Sequence, residues 1–305
     1  IIVFYGIHIA GGWNAVMDNA RSLAGYLSMT QIHDPVSNTA APYSMISIFS
    51  MMAWGLGYFG MPHILLRFMA IEDENKLGLS RRIASVWVVI SMFVAILIGM
   101  IGCGVSAAGK LETFTSSADS ETIIIRLSGL LGGHGFLLSI VAGIVLAGIL
   151  ASTMSTADSQ LLTAASSVSQ NLLQDFLKIK MNAKTSMAAA RITVLAVALV
   201  GIILAWDPNS SVFTIVSFAW AGFGAAFGPV MLFSLFWKRT NFCGALAGMI
   251  SGGIMVFVWK YGIRPLGGAW NIYELLPAFL VASAAILLVS LATAPPSEDI
   301  CRQFD

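Results

Sequence analysis

The sequence predicts an all-α integral membrane protein, and three observations predict it. Of 305 residues 57% are apolar and only 10% are charged, against roughly 25% charged in soluble domains. Mean hydropathy is +0.84, a value foreign to a water-soluble enzyme domain. Long uncharged stretches run Pro35 to Leu66, Ile83 to Gly109, Leu127 to Ala157, Pro208 to Trp237, Thr240 to Trp259 and Leu275 to Ser297. Each meets the length of about 20 residues that a helix needs to cross a hydrocarbon core.

The elements follow in order. Residues 1–11 read as the last turns of a helix that Gly11-Gly12 ends. The opening Ile1-Ile2-Val3-Phe4 has neither an initiator Met nor a charged leader, so the chain reads as a fragment of a longer protein. Residues 13–40 are mixed and polar, as expected of an exposed connection carrying one short interfacial helix. The first full span covers about 42–69, but Gly55, Gly57, Gly60 and Pro62 fall in its middle and predict a helix in two halves. Further spans are expected near 83–105, 136–162, 187–205, 210–236, 243–259 and 274–293, the 210–236 span again interrupted, at Gly222, Gly224, Gly228 and Pro229. Past Leu162 an amphipathic stretch to Lys180 carries a stripe of Leu172, Leu173, Phe176 and Leu177 suited to the membrane surface. Gly244, Gly248 and Gly252 share one face and allow close helix packing.

Charge sets the orientation. With loops alternating sides, 11 of the 16 Lys and Arg residues fall on one side, in the loops at 67–82, 178–191 and 238–239 and at the C-terminus. The positive-inside rule makes that side cytoplasmic and residues 295–305 a cytoplasmic tail on a single transmembrane domain. A net charge of +1 gives no reason to expect a nucleic-acid partner, and three widely spaced cysteines argue against a disulfide framework or a CxxC metal site.

Two constellations could carry chemistry. Ser152, Ser155, Thr156 and Ser159 stand at i, i+3, i+4 and i+7, on one helix face inside an apolar span. Neutral hydroxyl and carbonyl oxygens suit a small hard cation such as Na⁺ that must bind and leave; the same residues equally suit hydrogen bonds back to i−4 carbonyls or to neighbouring helices. Asp158 lies beside them, and a carboxylate within a span costs about 2.5–3.5 kcal/mol, so it belongs to a cation site or to the wet interface. The second constellation is Trp54-Gly-Leu-Gly-Tyr-Phe-Gly-Met-Pro-His63. A break in a span frees backbone groups that a cavity, ion or solute must satisfy. Trp54 and Tyr58, four apart, offer apolar walls with polar tips to a small amphipathic solute, although a Gly/Pro kink among aromatics also serves packing alone. His8, His33, His63 and His134 have no ligand spacing, and no phosphate loop, nucleophile elbow or zinc motif gives enzyme chemistry a foothold.

The runs Trp54 to Ala70, Gly148 to Leu162 and Ser217-Phe-Ala-Trp-Ala-Gly-Phe-Gly-Ala-Ala-Phe-Gly-Pro229, with Trp237-Lys-Arg and Asn241 to Gly248, resemble the sodium/solute symporter family, and within it the sodium/proline symporters. The resemblance implies a LeuT-type fold of two inverted five-helix repeats. This chain would hold the end of core helix five, core helices six to ten (six at 42–69, ten at 210–236) and two further helices; the first repeat would be absent. It also implies Na⁺-coupled uptake of a small solute, L-proline foremost, across a bacterial cytoplasmic membrane. On matching positions it puts Na⁺ ligands at the Ser152 carbonyl and the Ser155 and Thr156 hydroxyls, and a possible second cation site at Ser155, Asp158 and Ser159. Trp54, Tyr58 and Pro62 match positions tied to proline recognition, while Met61 stands where proline symporters commonly carry Gln. Similar membrane domains also serve as inputs to histidine kinases; residues 294–305 show no helical linker into one.

Overall fold

A computed structural model describes residues 1–34, 37–114, 116–206 and 211–304. Its helices are α1 (Ile2–Ile9), α2 (Trp13–Ser22), α3 (Met45–Met52), α4 (Pro62–Met69), α5 (Leu77–Ala107), α6 (Ser117–Glu121), α7 (Ile123–Gly132), α8 (Phe136–Ser166), α9 (Ala183–Leu204), α10 (Val212–Phe236), α11 (Phe242–Phe257), α12 (Leu275–Ala292) and α13 (Glu298–Phe304). A two-stranded ribbon, β1 (Gln31–Asp34) and β2 (Thr39–Pro42), is the one sheet among the described residues. Six helical stretches are long and apolar enough to span a bilayer: Glu74–Ala107, Phe136–Phe176, Ala183–Leu204, Val212–Phe236, Phe242–Leu266 and Leu275–Ala292. They coincide with six of the expected spans.

The chain divides into two compact units. The first comprises residues 1–41 and 73–212. In it Ile2, Val16, Ile101, Val105, Leu127 and Leu131 form a core joining α1, α2, the end of α5 and α7. Gly11 and Gly12, at φ 95° and 102°, end α1 in backbone that glycine tolerates best. The Asn182 side chain starts α9 by accepting from the Thr185 N–H at 2.9 Å. α8 runs on into a π-helical stretch, Ser167–Phe176, so the amphipathic segment continues the span, with Phe176 and Leu172 exposed.

The second unit comprises residues 42–72 and 213–305. Its core is Ala221, Ala225, Val256, Leu275, Ala278 and Phe279, from α10, α11 and α12. The glycine stripe of α11 does what its spacing suggests. A Cβ at Gly244, Gly248 or Gly252 would run into Ser290, Ile286 or the Ala225 carbonyl, so α12 and α10 lie on bare backbone. Asn241 caps α11, accepting from the Gly244 N–H at 2.9 Å, while its amide donates to Thr293 Oγ1 and the Ala294 carbonyl at 2.7 Å.

The 42–69 span is broken as the sequence predicts: α3 and α4 are joined by a 3₁₀ stretch, Ala53–Gly60. The same expectation fails for the 210–236 span, where α10 is a continuous helix with Pro229 inside it. Proline deletes one ladder bond, but the α10 glycines answer packing rather than a bend. A Cβ on Gly224 would lie 2.7 Å from the Gly57 Cα, and one on Gly228 2.8 Å from the Phe279 ring. The connection at 13–40 holds the expected short helix, α2, and also the β-ribbon, which the sequence reading missed.

Candidate functional site

In the second unit, Trp54 and Tyr58, expected from the sequence to recognise the solute, sit on the 3₁₀ stretch and Pro62 opens α4. Proline is at home at a first helical position, where its missing N–H has no partner to lose. At the break the Trp54 carbonyl accepts from another element: the Trp220 indole N–H donates to it at 3.0 Å. Gly57 admits that indole, since a Cβ there would overlap it. Trp54 also stacks on Trp220, Phe213 and Tyr273, with ring centroids 5.4, 5.5 and 5.8 Å away and planes within 20°. Tyr58 meets the edge of Trp220 at 4.8 Å. Each such pair contributes about 0.5–1.5 kcal/mol beyond burial. Tyr58 nevertheless stays exposed.

Tyr273 is fixed at both ends. Its N–H donates to Ser50 Oγ at 2.6 Å and its hydroxyl to the Ser217 carbonyl at 2.6 Å. Burial, with Glu274 adjacent, pushes the Tyr273 phenol above its ordinary pKa. Glu274 is almost fully buried, paired with Arg264 Nη1 at 2.9 Å and near Lys260 Nζ at 4.0 Å. Lys260 also stands 3.7 Å over the Phe218 ring. The sequence reading missed Phe213 and Tyr273 altogether and gave Trp220 no role. Phe213 and Trp220, seven residues apart on α10, carried a readable signal: two aromatics on one helix face, two turns apart.

In the first unit, α8 carries Ser152, Ser155, Thr156, Asp158 and Ser159. All but Ser159 are exposed. Thr156 Oγ1 points back to the Ser152 carbonyl at 3.4 Å, a long hydrogen bond, and Ser159 Oγ to the Ser155 carbonyl at 3.1 Å. Thr153 and Thr163 make the same i−4 bonds at 3.0 and 2.8 Å. The two readings of this face therefore share one geometry: the back-bond brings a hydroxyl and a carbonyl oxygen together on an open surface. The donors are neutral oxygens, with the carboxylate of Asp158 on the same helix, a set that fits a hard monovalent cation.

A discontinuous helix beside a proline-bearing span, with six helices long and apolar enough to cross a bilayer, defines an integral membrane protein of the helical, broken-span kind. The chain belongs to the sodium:solute symporter family, whose model matches residues 1–252. It is 42% identical over 261 residues to the sodium/proline symporter of Haemophilus influenzae, covering 85% of this chain and 51% of that protein. It is 40% identical to the osmoregulated proline transporter OpuE of Bacillus subtilis, over 86% of this chain and 51% of the relative, and 39% identical to the sodium/proline symporter of Escherichia coli, over 86% and 50%. The chain thus spans about half the length of the curated relatives it matches.

Proposed function

We propose that this chain is the second half of a Na⁺-coupled symporter that takes up L-proline by alternating access across a bacterial cytoplasmic membrane. The observation that carries this reading is a span broken at Ala53–Gly60 within a chain 42% identical to a protein named sodium/proline symporter. In the LeuT-type arrangement, the broken span is core helix six, α8 core helix eight and α10 core helix ten, with α11 and α12 as additional helices. Residues 1–305 act as one transporter domain with a cytoplasmic tail at 295–305, the orientation that the Lys and Arg distribution favours.

The proposed division of labour follows the chemistry of the residues. Ser152 contributes its carbonyl and Ser155 and Thr156 their hydroxyls to Na⁺, the transported ion; Asp158 and Ser159 offer a second cation position one turn further on. Trp54 and Tyr58 bound the solute, and Pro62 sets where the second half-helix begins. The first repeat supplies the remaining ligands of both sites. Coupling arises because Na⁺ binds the solute-competent state more tightly than the others and so raises solute affinity there.

The deciding experiment is uptake of radiolabelled proline by the full-length transporter in proteoliposomes, with and without an inward Na⁺ gradient. Accumulation that requires the gradient is expected. Uptake indifferent to Na⁺ sinks the coupling, and Na⁺-driven uptake of a different solute in preference to proline sinks the substrate assignment.

A further inference from the structure

We infer that Tyr273, in the connection between α11 and α12, is a positioning residue for the solute site: it fixes the ring of Trp54. The inference rests on the assignment of Trp54 to solute recognition.

Trp54 lies on a 3₁₀ stretch, where hydrogen-bond geometry is poorer than in an α-helix and the backbone alone sets a side chain less firmly. Its orientation is set by what touches it. Three rings stack on it, and of these Tyr273 is pinned twice, through its N–H to Ser50 on α3 and through its hydroxyl to the Ser217 carbonyl on α10. It therefore ties the first half of the broken span to α10 while lying against Trp54. The next residue, Glu274, is almost fully buried and held by Arg264, whose Nε also donates to Asn271 Oδ1 at 3.1 Å. The connection carrying Tyr273 is thus itself braced, and a shift of it would move Trp54. Nothing in this arrangement requires Tyr273 to touch the solute. A helix pair outside the repeat would then tune affinity without entering the site.

The test measures proline uptake by full-length transporter in proteoliposomes, as half-saturating proline concentration and maximal rate, for Tyr273→Leu, Tyr273→Phe, Trp54→Leu and the Tyr273→Leu/Trp54→Leu double variant. Tyr273→Leu is expected to raise half-saturating proline about tenfold while holding the maximal rate within about twofold. Tyr273→Phe, which keeps the ring, restores most of the affinity. The double variant is no weaker than Trp54→Leu alone, because the two residues act through one contact. Additive losses, or a Tyr273→Leu effect confined to the maximal rate, overturn the inference. If Tyr273→Leu does not reach the membrane, Ser50→Ala decides: it removes the acceptor for the Tyr273 N–H and leaves every ring in place. It is expected to raise half-saturating proline about threefold, and an unchanged value overturns the inference. Failure of the underlying reading looks different: Trp54→Leu itself leaves proline affinity unaltered. Silent Tyr273 and Ser50 variants beside a weakened Trp54→Leu refute the positioning role alone.

Discussion

The broken span of the second unit and the hydroxyl face of α8 in the first solve the same problem, polar atoms inside an apolar helix, in opposite ways. At the break the polar groups named above are met from other elements. Trp220 takes the Trp54 carbonyl, Ser50 takes the Tyr273 N–H, and Arg264 pairs with Glu274. On α8 the hydroxyls turn back to their own helix, Thr156 to Ser152 and Ser159 to Ser155. Burial differs in the same sense: the broken span buries Ser50, Ala53, Gly57, Gly60 and Met61, whereas α8 buries Ala142 and Ala165 over its whole length. A polar group that is already partnered holds structure, whereas one that only bonds back to its own turn can exchange that bond for a ligand at little cost. The elements of the proposed solute site are therefore expected to be sensitive in stability, and the proposed ion ligands in function alone.

The sharpest way to break this contrast is Glu274→Leu. Removing one partner of a fully buried ion pair costs about 3–5 kcal/mol; here the Arg264 side chain left behind is 42% exposed and partly solvated, so the loss falls toward the low end of that range. With Arg264 and Lys260 both left facing an apolar side chain, a lower melting temperature and reduced membrane abundance of the full-length transporter are expected. A melting temperature equal to that of the parent would mean that the braced connection bears no load. Gly57→Val comes next. The added side chain meets the Trp220 indole where the broken span and α10 approach closely, as they also do at Gly60, so overpacking of about 1–3 kcal/mol and a weakened proposed solute site are expected together. Parent-like unfolding and parent-like proline affinity would show that the two elements part freely.

These partners explain which parts of the molecule could be read in advance. The break at 53–60 was legible because Gly55, Gly57, Gly60 and Pro62 cluster within one span, and the α11 stripe because Gly244, Gly248 and Gly252 recur every four residues. The same rule misread α10: its glycines are there for close approach to Gly57 and Phe279, and composition does not separate a glycine that bends a helix from one that lets a neighbour in. The i, i+4 spacing placed Ser152 and Thr156 on one face correctly, since α8 is an uninterrupted helix. Tyr273 could not be found that way. It lies 219 residues beyond Trp54, in an irregular connection, and only the tertiary fold stacks the two rings. The β-ribbon escaped for a related reason, because its strands are four residues each and exposed, too short to carry an alternating pattern.

Tyr58→Ala tests the exposed rim of the proposed solute site. Tyr58 touches Trp220 only edge-on, so its loss should leave folding nearly intact and raise half-saturating proline about tenfold, equivalent to about 1.4 kcal/mol. An unaltered affinity would remove Tyr58 from the site.

The smallest structural effect, and the most informative about the ion side, belongs to Ser155→Ala and Thr156→Ala. Both residues are exposed, and Thr156 gives up only a 3.4 Å bond to the Ser152 carbonyl, so stability should change by less than about 0.5 kcal/mol. Each should nevertheless raise the Na⁺ concentration for half-maximal uptake several-fold while leaving the maximal rate at saturating Na⁺ largely intact, because the missing oxygen matters only when the ion is bound. Thr156→Ser, which keeps the hydroxyl and loses the methyl group, should retain near-parent Na⁺ dependence. A rise in the melting temperature of the parent on adding Na⁺, diminished in Ser155→Ala and Thr156→Ala, would show the same linkage without transport. Unchanged Na⁺ dependence in both alanine variants would make the α8 face a matter of helix chemistry alone, its hydroxyls serving their own carbonyls.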